Sequence, residues 1–449
     1  MTLEAFYIQS SQFMFHESSN QFLASMSIPI YLFTFNAGKR RANDELGRRL
    51  VSTFPQEPAS IFVFGLEEMG TIIEGAYGPL SRACLREYND LFLDALNGFY
   101  GEDIARFHTV GMVSVGAIGL VAITPYPLKY TQVREAKSGC GYGYSSMKGA
   151  VGLRVKYIPQ GATQGKETSV EMTFVNAHLS AFEGDYYYQK RNQNLNFLMR
   201  SLDFGDGYGF VKPGSHSFFM GDLNYRTTKK FSPDSEVSKK LHCLQDQSQA
   251  TKDLPRKLLA QYDELTLGMK AGDMLNGFSE GEINFNPTYK FVYPTAIYST
   301  KRSPSWCDRI LYQSTYRAPM TSKLIRGSKE KVLLAPVIHN YNSLDVLLSD
   351  HQPVYLNITV PFHPPEPIVN ASGFLQILPS DRESESSLSG PTLVYMRPTA
   401  LDRLIQRLVR PTVDTTIAAT LAGTTQLRGR LAVLGILLVM FGLYLMKRG

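Results

Sequence analysis

Short apolar runs, each about the length of one buried strand, follow one another along most of this chain with few helical patterns between them. Parallel neighbours in a sheet need a long crossover connection, whereas strands joined by short loops pair antiparallel. The succession therefore predicts an α/β fold with mixed or antiparallel sheets and helices packed outside. The predicted strands lie at 28–35, 61–64, 107–113, 117–124, 130–135, 149–157, 170–176, 218–220, 288–292, 310–312 and 354–360, and the predicted helices at 42–52, 80–96 and 187–202.

Residues 27–362 form the predicted folded body, while residues 1–26 show no clear period and receive no assignment. Prolines at 361, 364, 365 and 367 interrupt the chain after the last predicted strand. The region 363–430, with a Ser/Glu-rich stretch at 380–389, has the composition of a flexible linker. These features predict that the body ends near Pro361.

Within this linker, a possible amphipathic helix spans 400–410. Leu401, Leu404, Ile405 and Leu408 recur there at helical spacing, with arginines on the other faces. Such a helix could lie on an acidic membrane leaflet or dock on the folded body, and the sequence favours neither.

The sixteen residues 431–446 carry no charge and are flanked by basic residues on both sides. A helix of that length spans about 24 Å, slightly less than the ~27 Å core of a thin bilayer. A buried terminal core helix is the alternative, but the stretch has no polar face. The pattern predicts a C-terminal transmembrane helix that anchors the protein by its tail.

The net charge of +6 is a mild excess that favours an anionic partner. The four cysteines are widely spaced and form no CxxC pair, which is typical of reduced thiols in the cytosol. No Lys or Arg precedes Lys39, so the amino terminus has no charged signal-peptide region. The sequence carries no signal for an oligomeric state.

The stretch Phe218 to Arg226 places an Asp and an Asn at the point where a buried strand ends in a tight Gly turn. Asp222 offers a proton acceptor, and Asn224 offers a neutral hydrogen-bond donor two residues later. A solvated turn after a strand is an equally good interpretation of this stretch alone.

Other predicted strands also end in polar side chains. Asn36 and Glu68 follow the first two strands, and Asp350 with His351 precedes the last. Carboxylate and carboxamide oxygens are hard ligands that suit Mg²⁺, which keeps several waters in its remaining positions. A His beside them could hold a phosphoryl group or manage a proton.

These strand ends belong to seven motifs through which residues 28–361 resemble the inositol polyphosphate 5-phosphatases, members of the exonuclease-endonuclease-phosphatase superfamily. The resemblance implies a two-sheet α/β sandwich. The motifs are Thr34-Phe35-Asn36, Gly65-Leu66-Glu67-Glu68, Phe174 to Leu179, Gly221 to Arg226, Asn286 to Lys290, Arg302 to Leu311, and Ser349 to Val354.

The resemblance also implies site roles. Glu68 would hold Mg²⁺, with Asn36 nearby and Asp350 in the outer shell. Asp222 would orient and deprotonate the attacking water, and no covalent intermediate is expected. The remaining catalytic groups would contact the phosphoryl oxygens or orient a group that does: Asn224, His178, and His351 held protonated by Asp308.

The resemblance places four residues around the phosphate adjacent to the cleaved one: Lys148, Tyr289, Lys290 and Arg302. Two departures bear on specificity. Met147 stands where the family has Asn, and Thr300 stands where it has Lys, with Lys301 one position later.

We expect a Mg²⁺-dependent phosphatase that removes the 5-phosphate of phosphatidylinositol 4,5-bisphosphate at a cytosolic membrane face. In its layout the chain is similar to tail-anchored fungal members of the family in the endoplasmic reticulum, with the mitochondrial outer membrane as the second choice. A nuclease or sphingomyelinase of the same superfamily is one alternative, although the cationic Tyr289-Lys290 and Arg302 motifs, with Tyr225-Arg226, argue against it. An inactive inositide-binding scaffold on the membrane is the other. No nucleic-acid partner is expected.

Overall fold

The computed structural model describes residues 27–101, 106–159, 169–230, 257, 260–316, 335–376 and 394–425. The predicted two-sheet α/β sandwich is confirmed, because twelve strands form two six-stranded sheets. The strands are β1 (Ser27–Asn36), β2 (Ile61–Glu67), β3 (His108–Val115), β4 (Ile118–Thr124), β5 (Tyr130–Gly139), β6 (Gly149–Tyr157), β7 (Val170–His178), β8 (Ser215–Asp222), β9 (Phe278–Glu280), β10 (Asp308–Gln313), β11 (Val337–Ser343) and β12 (Val354–Pro361).

The first sheet has the order β11-β12-β1-β2-β4-β3, and the second has the order β5-β6-β7-β8-β10-β9. Each sheet has one parallel pair at its centre, β1 with β2 and β7 with β8, and its other pairs are antiparallel. The mixed pairing agrees with the prediction from closely spaced strands. Because both central pairs are parallel, each sheet presents two carboxyl ends side by side.

Helices cover the outer faces of the sheets. The first two helices begin at capping side chains, Asn43 for the first and the Thr71 capping box for the second. The helices are α1 (Asp44–Leu50), α2 (Ile72–Ala76), α3 (Gly78–Tyr100), α4 (Asp185–Ser201), α5 (Glu264–Ala271), α6 (Ala400–Leu404) and α7 (Arg410–Thr425), with a π-helical turn at Ile405–Val409 between the last two.

Three apolar clusters fill the layers between these elements. The inner faces of the sheets meet in a cluster that includes Leu32, Val63 and Phe174. A second cluster packs aromatic side chains of the first sheet on α3, where Phe64 and Phe92 stack with ring centroids 4.1 Å apart. A third lies between the second sheet and α4. The strand β2 shows the effect of burial on both faces, because its first four residues, Ile61 to Phe64, form a continuous apolar run.

The region after residue 362 differs from the predicted linker. Ile368, Val369 and Met396 are buried in the third cluster, so the folded body continues well beyond Pro361. The prediction of a linker over 363–430 is therefore wrong for 363–376 and 394–425, although the Ser/Glu-rich part at 380–389 lies outside the described residues.

The predicted helix at 400–410 is longer than expected and docks on the body. Ile405 and Gln406 are buried, and Asp402 forms a bidentate ion pair with Arg200, with distances of 3.0 Å. Docking was one of the two interpretations of this pattern. Most of the predicted apolar face is nevertheless turned outward, since Leu401, Leu404 and Leu408 are exposed although Ile405 is buried. The side chains that bind the body are thus mostly polar.

Within the ranges described, no helix combines the length and the apolar character needed to cross a bilayer. The predicted anchor at 431–446 and the unassigned residues 1–26 lie outside those ranges. The predicted strand at 288–292 is absent; Tyr289 and Phe291 form only isolated bridges there.

Candidate active site

Three neighbouring strands of the second sheet bring three predicted residues into one row. His178 ends β7, Asp222 ends β8, and Asp308 begins the antiparallel β10. The register pairs His178 with Asp222 and Asp222 with Asp308. Cross-strand neighbours lie about 5 Å apart, so the backbone alone gathers these side chains at one sheet edge.

The Asp222 carboxylate is the centre of the site. Its Oδ2 accepts a hydrogen bond of 2.8 Å from Asn36 Nδ2, which reaches across from the end of β1. It also lies 3.1 Å from His178 Nε2 and 3.9 Å from His351 Nε2. Although burial opposes ionisation, these imidazoles hold the pKa of Asp222 well below its usual range. The site therefore contains a fixed, ionised carboxylate.

His351 and Asp308 form a buried pair beside it. His351 Nδ1 lies 2.9 Å from Asp308 Oδ2, which also accepts a 2.6 Å hydrogen bond from the Thr288 hydroxyl. Burial disfavours a charged imidazole, but the carboxylates of Asp308 and Asp222 raise the pKa of His351 to about 9. His351 is consequently protonated at neutral pH, with Nε2 turned toward Asp222.

His178 has the opposite electrostatic setting. Burial and the adjacent Lys148 ammonium, which contacts His178 Nε2, lower the pKa of His178. Burial also lowers the pKa of Lys148. A neutral imidazole and a buried Lys148 side chain therefore lie beside Asp222. The prediction grouped Lys148 with the residues around the neighbouring phosphate, whereas the structure places it beside His178 in this row.

The Gly221 turn holds Asn224 in a left-handed conformation, with φ of +56°. Its backbone N–H donates to Asp222 Oδ1 at 3.1 Å, its Nδ2 donates to the Leu179 carbonyl at 3.2 Å, and its Oδ1 accepts from Arg226. The second Nδ2 hydrogen is left for a phosphoryl oxygen. The buried Arg226 guanidinium also covers the Tyr289 ring at 4.2 Å, and that ring packs on His351 with centroids 4.5 Å apart.

The three predicted metal ligands differ in what they already bind. Asn36 Oδ1 accepts a hydrogen bond from Gly38 N, and Asp350 is paired with Lys290. Among the described residues, the Glu68 carboxylate has an ion pair only with Lys39, at 4.0 Å. The tightest acidic cluster among these residues is instead Asp222, Asp308 and His351, and Asp308 Oδ1 has no hydrogen-bond partner. Hard oxygen donors at Glu68 and at this cluster fit a divalent cation.

Two adjoining cavities share Lys39 and Glu68, and the first of them reaches the row at His178. The first, of about 140 Å³, contains Lys148 and His178. The second, of about 810 Å³, has the character of a cationic cleft, because basic side chains line much of it: Lys39, Arg40, Lys290 and Lys301.

The predicted Arg302 does not line this cleft. Its guanidinium lies 5.7 Å from the Phe182 ring, and its exposed neighbour Lys301 lines the cleft in its place, together with Thr300. The structure therefore brings Lys290 and Lys301 together and separates Lys148 and Arg302 from them.

Sequence reasoning missed three residues near the site. Lys39 and Arg40 line the cleft, and the Arg40 guanidinium covers the Tyr293 ring at 3.6 Å. Their position directly after the Asn36 turn was a usable signal. Glu67 is fully buried beneath the row, where desolvation and the neighbouring Asp308 and Asp222 raise its pKa well above the usual range. Its position beside Glu68 was also a signal.

The profile of endonuclease/exonuclease/phosphatase family 2 matches residues 33–357. A polyphosphatidylinositol phosphatase of Saccharomyces cerevisiae is 26% identical over 353 residues, covering 75% of this chain and 27% of that protein. The phosphatidylinositol 4,5-bisphosphate 5-phosphatase A of Mus musculus is 28% identical over 351 residues, covering 74% of this chain and 31% of that protein. The chain thus spans less than a third of the length of either relative.

Among solved structures, the inositol polyphosphate 5-phosphatase domain of a synaptojanin, in complex with inositol (1,4)-bisphosphate and calcium, has a similar fold. Its TM-score is 0.58 at 24% identity, covering 75% of this chain and 84% of that chain. The profile covers most of the sandwich described above, from within β1 to within β12. The family resemblance predicted from the motifs is thus confirmed: the chain belongs to endonuclease/exonuclease/phosphatase family 2.

Proposed function

We propose that this protein is a Mg²⁺-dependent phosphatase that hydrolyses the 5-phosphate of phosphatidylinositol 4,5-bisphosphate. The observation that carries the proposal is the buried row of His178, Asp222 and Asp308 with protonated His351, opening directly beside a cationic cleft. The row suits phosphoryl transfer to water, and the cleft suits a ring that carries a second phosphate. The inositol phosphatases among the relatives support this class of substrate.

The attacking water is oriented by Asp222. Phosphoryl transfer passes through a loose transition state with little need for early proton removal, so positioning dominates catalysis. Because the pKa of Asp222 is held so low, its carboxylate is a weak base but a well-fixed acceptor for one water hydrogen. The new P–O bond forms from water, and the bond from phosphorus to the ring oxygen breaks. The attacking water gives up one proton to solvent, and the ring oxygen takes up one proton from solvent as it leaves as a hydroxyl group, so the products are the ring alcohol and inorganic phosphate.

The phosphoryl oxygens are stabilised by donors already in place. His351 Nε2 lies 3.9 Å from Asp222 Oδ2, and the Lys148 ammonium contacts His178 in the same row. Asn224 Nδ2 donates one hydrogen to the Leu179 carbonyl and keeps the other for the phosphoryl group. Charge-assisted donors in a buried site stabilise developing charge without reorganisation. Mg²⁺ held by Glu68, with Asn36 and Asp350 behind it, would supply further charge to the phosphoryl group when bound.

The cleft accounts for the choice of ring. Lys290 lies next to Tyr289, which packs on His351, so a cation is one residue from the catalytic row. A phosphate on the ring carbon next to the cleaved position would meet Lys290, with Lys301 and Arg40 farther along the cleft. Ammonium and guanidinium groups bind phosphate oxygens strongly. The 4-phosphate is the neighbour that we assign to this cleft.

We further propose that residues 431–446 anchor the protein in the endoplasmic reticulum membrane, with the catalytic body in the cytosol and the mitochondrial outer membrane as the second choice. The support is the uncharged stretch between basic flanks and its short length, which suits a thin bilayer. Carbonate extraction and imaging of the tagged full chain, with and without 431–446, test the anchor. A full chain that stays soluble would exclude it.

Phosphate release by the full chain tests the activity. The substrates are phosphatidylinositol 4,5-bisphosphate in phosphatidylcholine vesicles, phosphatidylinositol 4-phosphate in the same vesicles, and soluble inositol 1,4,5-trisphosphate, each with Mg²⁺ and with EDTA. We expect release from the lipid bisphosphate, loss of release with EDTA, and no release from the 4-phosphate lipid. Release from the 4-phosphate lipid would contradict the assigned position of cleavage.

Asp222→Asn and Asp185→Asn provide the matched pair for this experiment. Asp185 is an acidic residue at the exposed start of α4, so its variant controls for loss of charge away from the row. We expect Asp222→Asn alone to lose activity. Cleavage of abasic DNA or sphingomyelin without action on inositides would favour another phosphoesterase. Tight inositide binding without release at any Mg²⁺ concentration would favour a scaffold.

A further inference from the structure

The loop that delivers Lys148 to the catalytic row is held by the C-terminal helical segment 400–425. Lys148 follows the loop 139–147, which closes on itself through the Cys140 N–H bond to the Lys148 carbonyl, 2.8 Å. Neither end of this loop is secured by the family domain alone, because two side chains from beyond residue 400 bind its backbone.

Gln406 binds the first end of the loop. Its Oε1 accepts from Gly139 N at 2.8 Å, and its Nε2 donates to the Gly139 carbonyl at 2.9 Å. The buried carboxamide thus extends the hydrogen bonding at the end of β5 as another peptide group would. Glycine suits this position because a Cβ on Gly139 would come within 2.5 Å of the Tyr144 carbonyl oxygen.

Asp414 binds the other end, two residues before Lys148. Its Oδ1 accepts from the buried Ser146 N at 2.7 Å. On the opposite side, Gly116 packs so closely that a Cβ there would come within 2.0 Å of the Ser146 carbonyl oxygen. The Ser146 peptide is therefore clamped between the β3–β4 turn and α7, and its freedom to move Lys148 is small.

The same helix reaches the cavity beside the catalytic row. Asp414 and Ile417 line the 140 Å³ cavity together with Met147, Lys148 and Glu68. The profile match ends at residue 357, so this wall is contributed by a segment that follows the family domain.

We propose that segment 400–425 is a working part of the catalytic site, in which Gln406 and Asp414 are positioning residues that fix Lys148 against His178. Removing either contact loosens the loop and misplaces the Lys148 ammonium. A displacement of about 1 Å at a reacting centre lowers the rate by up to about a hundredfold. The part of this inference that concerns rate rests on the proposed function.

The test compares four variants of the full chain. Asp414→Leu and Gln406→Ala remove the loop contacts, whereas Asp414→Asn keeps an oxygen acceptor for Ser146 N. Asp402→Asn is the control, because Asp402 ties the same segment to Arg200 without contacting the loop. Phosphate release from phosphatidylinositol 4,5-bisphosphate gives kcat and KM, and hydrogen exchange of peptides from 139–148 reports on the loop with no substrate present.

We expect Asp414→Leu and Gln406→Ala to lower kcat by on the order of tenfold to a hundredfold and to speed exchange in 139–148. Asp414→Asn and Asp402→Asn should stay within about twofold of the wild type in kcat. If Asp402→Asn and Asp414→Leu lose kcat equally, in proportion to the fall in their melting temperatures, the segment only stabilises the fold. That result would overturn the proposal. Normal kcat despite faster exchange would also overturn it.

The two proposals fail separately. If the wild type releases no phosphate from any inositide, the proposed function fails, but the exchange of 139–148 still reports whether Asp414 and Gln406 hold the loop. If Asp414→Leu does not fold, the Gln406→Ala and Asp402→Asn pair decides the outcome by the same two readouts.

Discussion

The catalytic row and the cationic cleft, the two halves of the site, differ in burial and therefore in how strongly their charges interact. In the catalytic row, Asp222, Asp308 and His351 are buried and bound to one another at 2.9 to 3.9 Å. In the cationic cleft, Lys39 and Lys301 are exposed, and Lys290 is half-buried against Asp350. Burial strengthens electrostatic interactions in the row, while solvent and salt screen them in the cleft.

Under the proposed function, this difference would separate the residues that carry the reaction from those that select the substrate. Replacing a buried polar group leaves its hydrogen-bond partner unsatisfied, so the substitution has a large free-energy cost. An exposed cation is solvated and screened by salt, so its ion pairs contribute little binding free energy. We therefore expect changes in the row to act on kcat and changes in the cleft to act on KM, and the predictions that follow test that division.

The largest effect is expected from Asp308→Asn. The carboxamide keeps the shape of the side chain but removes the charge that holds His351 protonated. We expect kcat for phosphatidylinositol 4,5-bisphosphate to fall by about 10²- to 10⁴-fold with little change in KM. Thr288→Val, which removes only the hydroxyl that donates to Asp308, is the matched variant and should lose less. Equal kcat in Asp308→Asn and the wild type would show that the row does not depend on this charge.

The pH profile is expected to shift with the same pair. His351 must carry its proton to donate to the phosphoryl group, so wild-type kcat should hold through neutral pH and fall above about 9. Without the Asp308 carboxylate, the pKa of His351 moves down toward its usual value of about 6.5. The residual activity of Asp308→Asn should therefore be lost at a lower pH than that of the wild type. A fall at the same pH in both proteins would assign the titration to another group.

The sequence predicted the positions of the row residues better than those of the residues that line the cleft, for a physical reason. His178, Asp222 and Asp308 are fixed by strand register, which short apolar runs and motifs already encode. Lys148 and Arg302 lie on loops, where tertiary packing decides the direction of a side chain. Arg302 is turned to Phe182, and Lys148 is turned to His178.

The role of the C-terminal segment was hidden by its composition. Prolines and serines between 361 and 389 are typical of a linker, and they separate the helix at 400–425 from the sandwich in sequence but not in space. The contacts of Gln406 and Asp414 join residues 267 and 268 positions apart. No local pattern predicts contacts of that kind, whereas the amphipathic spacing did predict the helix.

A smaller effect is expected from Lys290→Met in the cleft. Methionine keeps the apolar stem but removes the ammonium, and a hydrogen bond to a charged group contributes about 1.5–3 kcal/mol. We expect KM for phosphatidylinositol 4,5-bisphosphate to rise about 10- to 100-fold, with kcat nearly unchanged. Asp350→Asn is the companion variant, because it removes the carboxylate that pairs with Lys290 and leaves the cation in place. A fall in kcat with no change in KM would group Lys290 with the row, and it would contradict the division between row and cleft.

The smallest effects are expected at the outer edge of the cleft, where Lys301→Met and Arg302→Met form a matched pair. Lys301 lines the cleft with Lys290, whereas Arg302 lies over Phe182. Because Lys301 is exposed, its loss should raise KM by only about 2- to 5-fold, and added salt should shrink the difference from the wild type. Arg302→Met should leave KM nearly unchanged, because Arg302 follows Lys301 in sequence but does not line the cleft. A larger effect from Arg302→Met would mean that substrate binding turns its side chain into the cleft, as the family motif predicts, and the cleft would then extend toward Phe182.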